Sequence, residues 1–195
     1  MKLIFVRHGE TEDNNKGLYC GWNDVELTEK GMMQAKKVCE KLKERKIDYI
    51  ITSDLNRTMK TAEMINKYHH KKIILEKKLR EMNFGLWEGL SYKEIKKKYA
   101  KELSGWEADW IDYAPPFGES VRHMYKRVTS SIDNIIAEYK DKNILIVSHA
   151  GCIRAILAYL IGNGIEDYWK YKIENCGITT IEMVDKLPVL IGLNQ

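Results

Sequence analysis

The chain has 195 residues, of which 44% are apolar and 31% charged, with three prolines and a net charge of +4. That balance excludes a disordered or low-complexity chain and suffices for one domain with its own core. It also argues against a nucleic-acid binder, because no arginine-aromatic interleaving accompanies Lys36-Lys37, Lys71-Lys72 or Lys96-Lys97-Lys98, which read as solvated helix faces.

The first predicted element is the apolar run over residues 2–6, which ends in Arg7 and His8 and suits a buried strand of a parallel sheet. The run is too short for a signal-peptide core or a membrane span, and no later run approaches spanning length, so a cytoplasmic protein without membrane contact is expected. Cys20, Cys39, Cys152 and Cys176 show no CxxC pairing and read as reduced thiols. Thr28 caps a predicted helix carrying Met32, Ala35, Val38 and Leu42 at three- and four-residue spacing. A second strand, Tyr49-Ile50-Ile51-Thr52, leads into a helix over Leu55 to Tyr68. Residues 91–113 form a helical excursion in which Trp106 and Trp110 stand one turn apart as core side chains. Pro115-Pro116-Phe117-Gly118 breaks the chain before a long helix from about Ser120 to Tyr139, which Glu119 and Ser120 can break and cap. Ile144-Leu145-Ile146-Val147 is a third buried strand, and β-rich segments near 177–183 and 189–193 close the chain. Alternating strands and helices predict an α/β fold, a three-layer α/β/α sandwich with a mostly parallel central sheet in a single domain over 1–195.

Ligands of open parallel sheets sit beyond the carboxyl ends of the strands. That rule gathers Arg7-His8, Ser53 to Arg57 and His149 in one crevice. Two arginines and two imidazoles, with no carboxylate set at metal-ligand spacing, suit an anion whose charge is spread over several oxygens, and a phosphoryl group is the obvious candidate. Phosphoryl transfer depends on positioning and charge stabilisation, which guanidinium groups, an imidazole and a helix N-terminus can supply, so neither metal nor cofactor is predicted. A neutral imidazole is also a competent nucleophile near pH 7.

Arg7-His8-Gly9-Glu10-Thr11, followed by Asn14, resembles the opening signature of the histidine phosphatase superfamily, which includes the phosphoglycerate mutases. Ser53-Asp54-Leu55-Asn56-Arg57-Thr58 with Thr61-Ala62 is similar to the second motif of that family, Glu81-Met82-Asn83-Phe84-Gly85 with Trp87-Glu88-Gly89 to its third, and Val147-Ser148-His149-Ala150-Gly151 to its last. The resemblance implies a phosphoglycerate mutase-like fold and a phosphohistidine intermediate. It implies His8 as nucleophile, with Arg7, Arg57 and His149 on the phosphoryl oxygens and Asn14 adding a hydrogen bond. Glu81 would protonate the departing oxygen and then activate water, which makes His8, Glu81 and His149 the catalytic set. Read singly, Arg7 and Arg57 are surface ion-pair residues, and Asn14 shapes a turn. Glu81 is a charged loop residue whose neighbours Met82, Phe84 and Trp87 offer apolar surroundings of the kind that raise a carboxyl pKa. His69-His70 read as a solvated helix end and His123 as structural.

Within the superfamily, the spacing most resembles the α-ribazole phosphatases, through Gly17-Leu18-Tyr19 with Gly21, Leu27-Thr28, the Glu81 to Gly85 stretch, Trp106 and Trp110, Gly118-Glu119, and Ile161-Gly162 with Trp169. The resemblance implies a small-molecule phosphate ester as partner, α-ribazole 5′-phosphate of cobalamin nucleotide loop assembly, with Cys20, Gly21, Trp22 and Glu119 at the pocket. A homodimer is compatible with the sequence. The Cys20-Gly21-Trp22 and Glu26 to Gly31 stretches also resemble cofactor-dependent phosphoglycerate mutases, but that branch usually carries an arginine after the catalytic glutamate, where this chain has Met82. A broad-specificity sugar-phosphate or phosphopeptide phosphatase is a further reading. A non-catalytic phosphate-ligand binding module would be expected to have replaced His8 or Glu81, and both are present.

Overall fold

The computed structural model describes residues 1–195. Its centre is a six-stranded mixed sheet built from β1 (Lys2–Arg7), β2 (Tyr49–Thr52), β3 (Ile73–Leu75), β4 (Asn143–Ser148), β5 (Ile178–Val184) and β6 (Leu187–Gly192), in the order β3-β2-β4-β1-β5-β6. The pairs β2–β3, β2–β4 and β1–β4 are parallel, whereas β5 runs antiparallel to β1 and β6 antiparallel to β5. The helices are α1 (Glu12–Lys16), α2 (Glu29–Leu42), α3 (Asn56–Ile65), α4 (Tyr92–Lys98), α5 (Ala100–Ala108), α6 (Val121–Glu138) and α7 (Ala150–Leu160).

Alternation along the strands creates the layers. In β1, Leu3 and Phe5 join Ile144 and Ile146 of β4 on the face covered by Met124, Val128 and Ile132 of α6 and Ile153, Ile156 and Leu157 of α7. Ile4 and Val6, one residue out of phase, join Leu145 and Val147 against Ala35, Val38 and Leu42 of α2 and Ala62 and Ile65 of α3. Side chains of a strand alternate between faces, so a continuous apolar run is the pattern a doubly covered sheet requires. Each fully buried Leu, Ile, Val or Phe contributes about 1.5–3 kcal/mol. The result is the predicted three-layer α/β/α sandwich.

Helix starts follow their caps. Thr28 Oγ1 accepts from Gly31 N at 3.0 Å and Ser120 Oγ from His123 N at 3.2 Å. Ser91 and Glu94 form a capping box on α4. Such caps contribute on the order of 1 kcal/mol each.

Three expectations need correction. The helix expected to reach Tyr68 stops at Ile65, because the Asn66 amide bonds the backbone of Lys71 in both directions, at 2.8 Å each, and closes a turn. Lys71 and Lys72 therefore lie on an exposed connection and not on a helix face. The excursion is two short helices, and α5 ends at Ala108. Trp106 consequently packs against Trp87, while Trp110 packs against Tyr168 and Trp169, so the two indoles serve different clusters.

The N-terminus of α2 is clasped to the loop after β1. Thr28 N donates to Glu10 O at 2.9 Å, Glu10 N donates to Gln34 Oε1 at 2.9 Å, and a Cβ on Gly31 would collide with the Glu10 carbonyl. Gly31→Ala is expected to destabilise the protein by about 1–3 kcal/mol, the usual cost of forcing an extra carbon into a packed site. Urea unfolding of the variant measures this, and an unchanged midpoint would mean that the clasp yields freely.

Candidate active site

The parallel strands deliver their next residues to one edge of the sheet. His8 follows β1 and its N–H bonds Ser148 O at 3.0 Å; Ser53 follows β2 and leads into α3, where Arg57 is the second residue; His149 follows β4 as the N-cap of α7. The His8 and His149 rings meet edge to face with centroids 5.2 Å apart. His8 is 4% exposed, and Arg57 and His149 are 0% exposed. The gathering of Arg7, His8, Arg57 and His149 predicted from topology is thus present.

Neither arginine is held by a carboxylate. Arg57 donates from Nη1 to Asn23 O at 2.8 Å and from Nη2 to Gly21 O at 2.6 Å, and Arg7 donates from Nη1 to Ile173 O at 2.9 Å. Nε of Arg7, Nε of Arg57 and Nδ1 of His149 are buried without a partner in the protein. Buried donors are normally paired. Three such orphans around one imidazole pair describe a site that requires an acceptor with several oxygens.

The His8 tautomer follows from its partner. Nδ1 lies 2.7 Å from Gly9 O, and a carbonyl can only accept, so Nδ1 carries the proton and Nε2 keeps its lone pair. Burial holds His8 far below the ordinary imidazole value, with Arg57 and then Arg7 adding to the effect. His149 is depressed in the same way by burial, then by Arg57 and by His8. Both rings are therefore neutral near pH 7.

Glu81 reaches this group from the segment before the turn Gly85–Trp87. Its Oε1 accepts from Met82 N and its Oε2 from Gly151 N, both at 2.9 Å, and a Cβ on Gly151 would fall on the carboxylate. Two backbone amides thus hold the carboxylate, and of the apolar residues expected beside it Met82 joins the main core and Trp87 a separate cluster with Ile95 and Leu103. Asn14 shapes the start of α1. It closes the capping box of α1 with Thr11, and its Oδ1 also accepts from Asn175 Nδ2 at 3.0 Å, which leaves its own amide N–H groups for a ligand.

The proposed pocket residues divide. Gly21 and Asn23 turn their carbonyls to Arg57, while their N–H groups and that of Trp22 bond the Glu88 carboxylate at 2.8–3.3 Å, so this loop positions the arginine. Trp22 is 41% exposed, bonds Glu81 O through its indole N–H at 2.9 Å, and lies under the guanidinium of Arg80, which Asp54 fixes at 2.6 and 2.7 Å. Burial pushes the Cys20 thiol up to about 12, so it stays protonated. Glu119 is engaged elsewhere: its carboxylate takes Arg127 Nε and Nη2 and the Asn83 N–H. Arg127 in turn bonds the carbonyls of Lys78, Arg80 and Glu81 at 2.7–2.8 Å, so the Glu119–Arg127 pair shapes the backbone that presents Glu81.

Sequence reading gave Glu88 no role of its own and missed Arg127 and Asn175, whose Nδ2 also holds His8 O at 3.1 Å. They act on backbone atoms distant in sequence, and no local spacing marks them. A groove of about 890 Å³ lies among Met1, Ile136, Tyr159, Leu160, Met183 and Pro188, and neither imidazole lines it. No three His, Cys, Asp or Glu side chains are grouped to hold a metal ion, and no helix is long and apolar enough to cross a membrane.

Comparison with known proteins places these features in a family. The model of the histidine phosphatase superfamily (branch 1) matches residues 3–195. The adenosylcobalamin/alpha-ribazole phosphatase of Salmonella typhimurium is 32% identical over 195 residues, covering 100% of this chain and 96% of that protein. Phosphoserine phosphatase 1 of Hydrogenobacter thermophilus is 30% identical over 194 residues, covering 100% and 92%. The crystal structure of the alpha-ribazole phosphatase from Shigella flexneri superposes with a TM-score of 0.95 at 32% identity, covering 100% and 96% of the two chains.

The depressed imidazoles make a prediction about pH. Their folded-state values lie below those of the unfolded chain, so the unfolded state binds more protons once the pH drops below about 6.5, and the stability that is fully present above that value is lost on acidification. Urea midpoints of the unliganded protein should fall between pH 7.5 and 5.5. The fall should be smaller in a His8→Gln/His149→Gln double variant; equal slopes would mean that the two rings do not carry the effect.

Proposed function

The chain belongs to the histidine phosphatase superfamily, and we propose that it hydrolyses a small phosphomonoester through a phosphohistidine on His8, with α-ribazole 5′-phosphate as its substrate. One observation carries the hydrolytic reading: three buried donors without protein partners, Arg7 Nε, Arg57 Nε and His149 Nδ1, adjoin a neutral imidazole with a free Nε2. A non-catalytic binding module has no use for a nucleophile held in that tautomer.

The proposed reaction runs in two displacements. Nε2 of His8 attacks phosphorus and the ester P–O bond breaks, with the departing oxygen taking a proton from Glu81. The His8 proton stays on Nδ1, hydrogen-bonded to the Gly9 carbonyl, so the ring becomes a phosphorylated imidazolium. Water then attacks the phosphoryl group, Glu81 takes its proton, the P–N bond breaks and inorganic phosphate leaves. Arg7, Arg57, His149 and Asn14 hold the equatorial oxygens, and the N-terminus of α7 adds its dipole. Two guanidinium charges supply the neutralisation that Mg²⁺ provides in other phosphoryl-transfer sites, so the reaction is expected to need no metal.

The substrate reading is supported by the α-ribazole phosphatases among the relatives and by full-length similarity to the Shigella flexneri enzyme. A second reading is phosphoserine, because a relative named for that activity is 30% identical over the same span. A mutase reading lacks support from residue 82, which is methionine. The test is turnover of α-ribazole 5′-phosphate, phosphoserine, 3-phosphoglycerate and a sugar bisphosphate side by side after exhaustive chelation. The proposal expects undiminished activity and the highest kcat/KM for α-ribazole 5′-phosphate. Preference for phosphoserine would transfer the assignment, and activity restored only by a divalent metal would refute the mechanism.

A further inference from the structure

His149 has one nitrogen fixed and one free, and the fixing group is Ser53. The Ser53 hydroxyl lies 3.0 Å from His149 Nε2, and both residues are 0% exposed. Ser53 is the first residue after β2, and its N–H is tied to Val147 O at 3.2 Å. The Ser53 carbonyl accepts from Thr58 Oγ1 at 2.9 Å, so the residue is anchored at both ends. Its position does not adjust easily.

Counting protons with an anion in the site gives the direction of the bond. The Ser53 oxygen already accepts a long contact from Leu55 N at 3.4 Å. Its own hydrogen needs an acceptor, and His149 Nε2 is the one within reach. In the unliganded site either tautomer leaves one buried hydrogen unpaired, on His149 Nδ1 or on the Ser53 hydroxyl, whereas an anion at Nδ1 satisfies both hydrogens only when Ser53 donates to Nε2. We infer that Ser53 is a positioning residue that donates to His149 Nε2 and so places the imidazole proton on Nδ1, the nitrogen buried without a protein partner, where it serves as a donor to the phosphoryl oxygens.

The two imidazoles are then set in complementary states by different backbone segments. The Gly9 carbonyl pulls the His8 proton to Nδ1 and leaves Nε2 as nucleophile. The Ser53 hydroxyl occupies the His149 Nε2 lone pair and leaves Nδ1–H as electrophile. A His149 with the opposite tautomer would turn a lone pair toward the anion and repel it. Ser53 touches neither substrate nor the reacting atoms, and its effect passes wholly through His149. This inference rests on the phosphatase reading, and the tautomer it assigns belongs to the anion-bound protein.

Two readouts test it. Long-range nitrogen–proton NMR of histidine-labelled protein saturated with inorganic phosphate, with the His149 signals identified by their loss in His149→Gln, should show the proton on Nδ1 and an unprotonated Nε2. Ser53→Ala, a small change in a tight site, should leave the unfolding midpoint nearly intact and release the ring into a mixture of tautomers. Its kcat should fall by about 10-fold or more with KM little changed, less than the ~10²–10³-fold loss that follows removal of a whole oxyanion donor. Ser53→Cys, which retains a weak donor, should lie between the two. A wild-type ring protonated on Nε2 would overturn the inference, as would unchanged kcat in Ser53→Ala or a fall in kcat without any change of tautomer. Because the NMR arm uses inorganic phosphate in place of a substrate, its outcome is independent of whether the substrate assignment holds.

Discussion

Two guanidinium groups buried without a carboxylate are the constraint on which the rest of the site depends. Removing an ion from water costs several kcal/mol even after the protein relaxes. Arg57, fully enclosed, and Arg7, half-buried beside it, donate to carbonyl oxygens of Gly21, Asn23 and Ile173 and make no direct ion pair with a carboxylate. Carbonyl dipoles offset part of that cost and leave the net charge in place. The fold therefore maintains a positive potential at the end of the sheet, and a multiply charged anion completes it.

The same charges govern the imidazoles. An imidazole beside two guanidinium groups and out of water resists protonation, which is the condition for His8 to act as a nucleophile and for His149 to act as a neutral donor. Neutrality alone would not distinguish the two rings. The distinction comes from what each ring meets: a carbonyl at His8 Nδ1 and a hydroxyl at His149 Nε2. Around them, carboxylates are kept on structural duty. Glu88 collects four backbone N–H groups, from Gly21, Trp22, Asn23 and Phe84, and Glu119 pairs with Arg127. Glu81 alone turns a carboxylate toward the first turn of α7, beside His149.

Much of this was legible in the sequence, for identifiable reasons. The apolar runs at β1, β2 and β4 are continuous because the sheet is covered on both faces, and that pattern fixes the edge at which Arg7, His8, Arg57 and His149 gather. Thr28 and Ser120 announced their helices through side chains that bond locally. The three-residue edge strand β3 was not legible, since three residues carry no period. The end of α5 was missed because Trp106 and Trp110 have helical spacing but are claimed by different partners, Trp87 and Trp169. Glu119 was placed at the pocket by resemblance, and nothing local reveals that Arg127, eight residues further on in α6, takes its charge. Asn175 was invisible for the same reason: its bonds to His8 and Asn14 span more than 160 residues.

The central claim is that phosphorus changes hands twice, first to His8 and then to water. The stereochemical course at phosphorus tests this directly, using a phosphate ester made chiral with oxygen isotopes and sulfur and hydrolysed in isotopic water. Each in-line displacement inverts the configuration, so two displacements predict overall retention, whether or not the phosphohistidine accumulates. Overall inversion would mean that water attacks the ester in one step, and the assignment of His8 as nucleophile would be wrong.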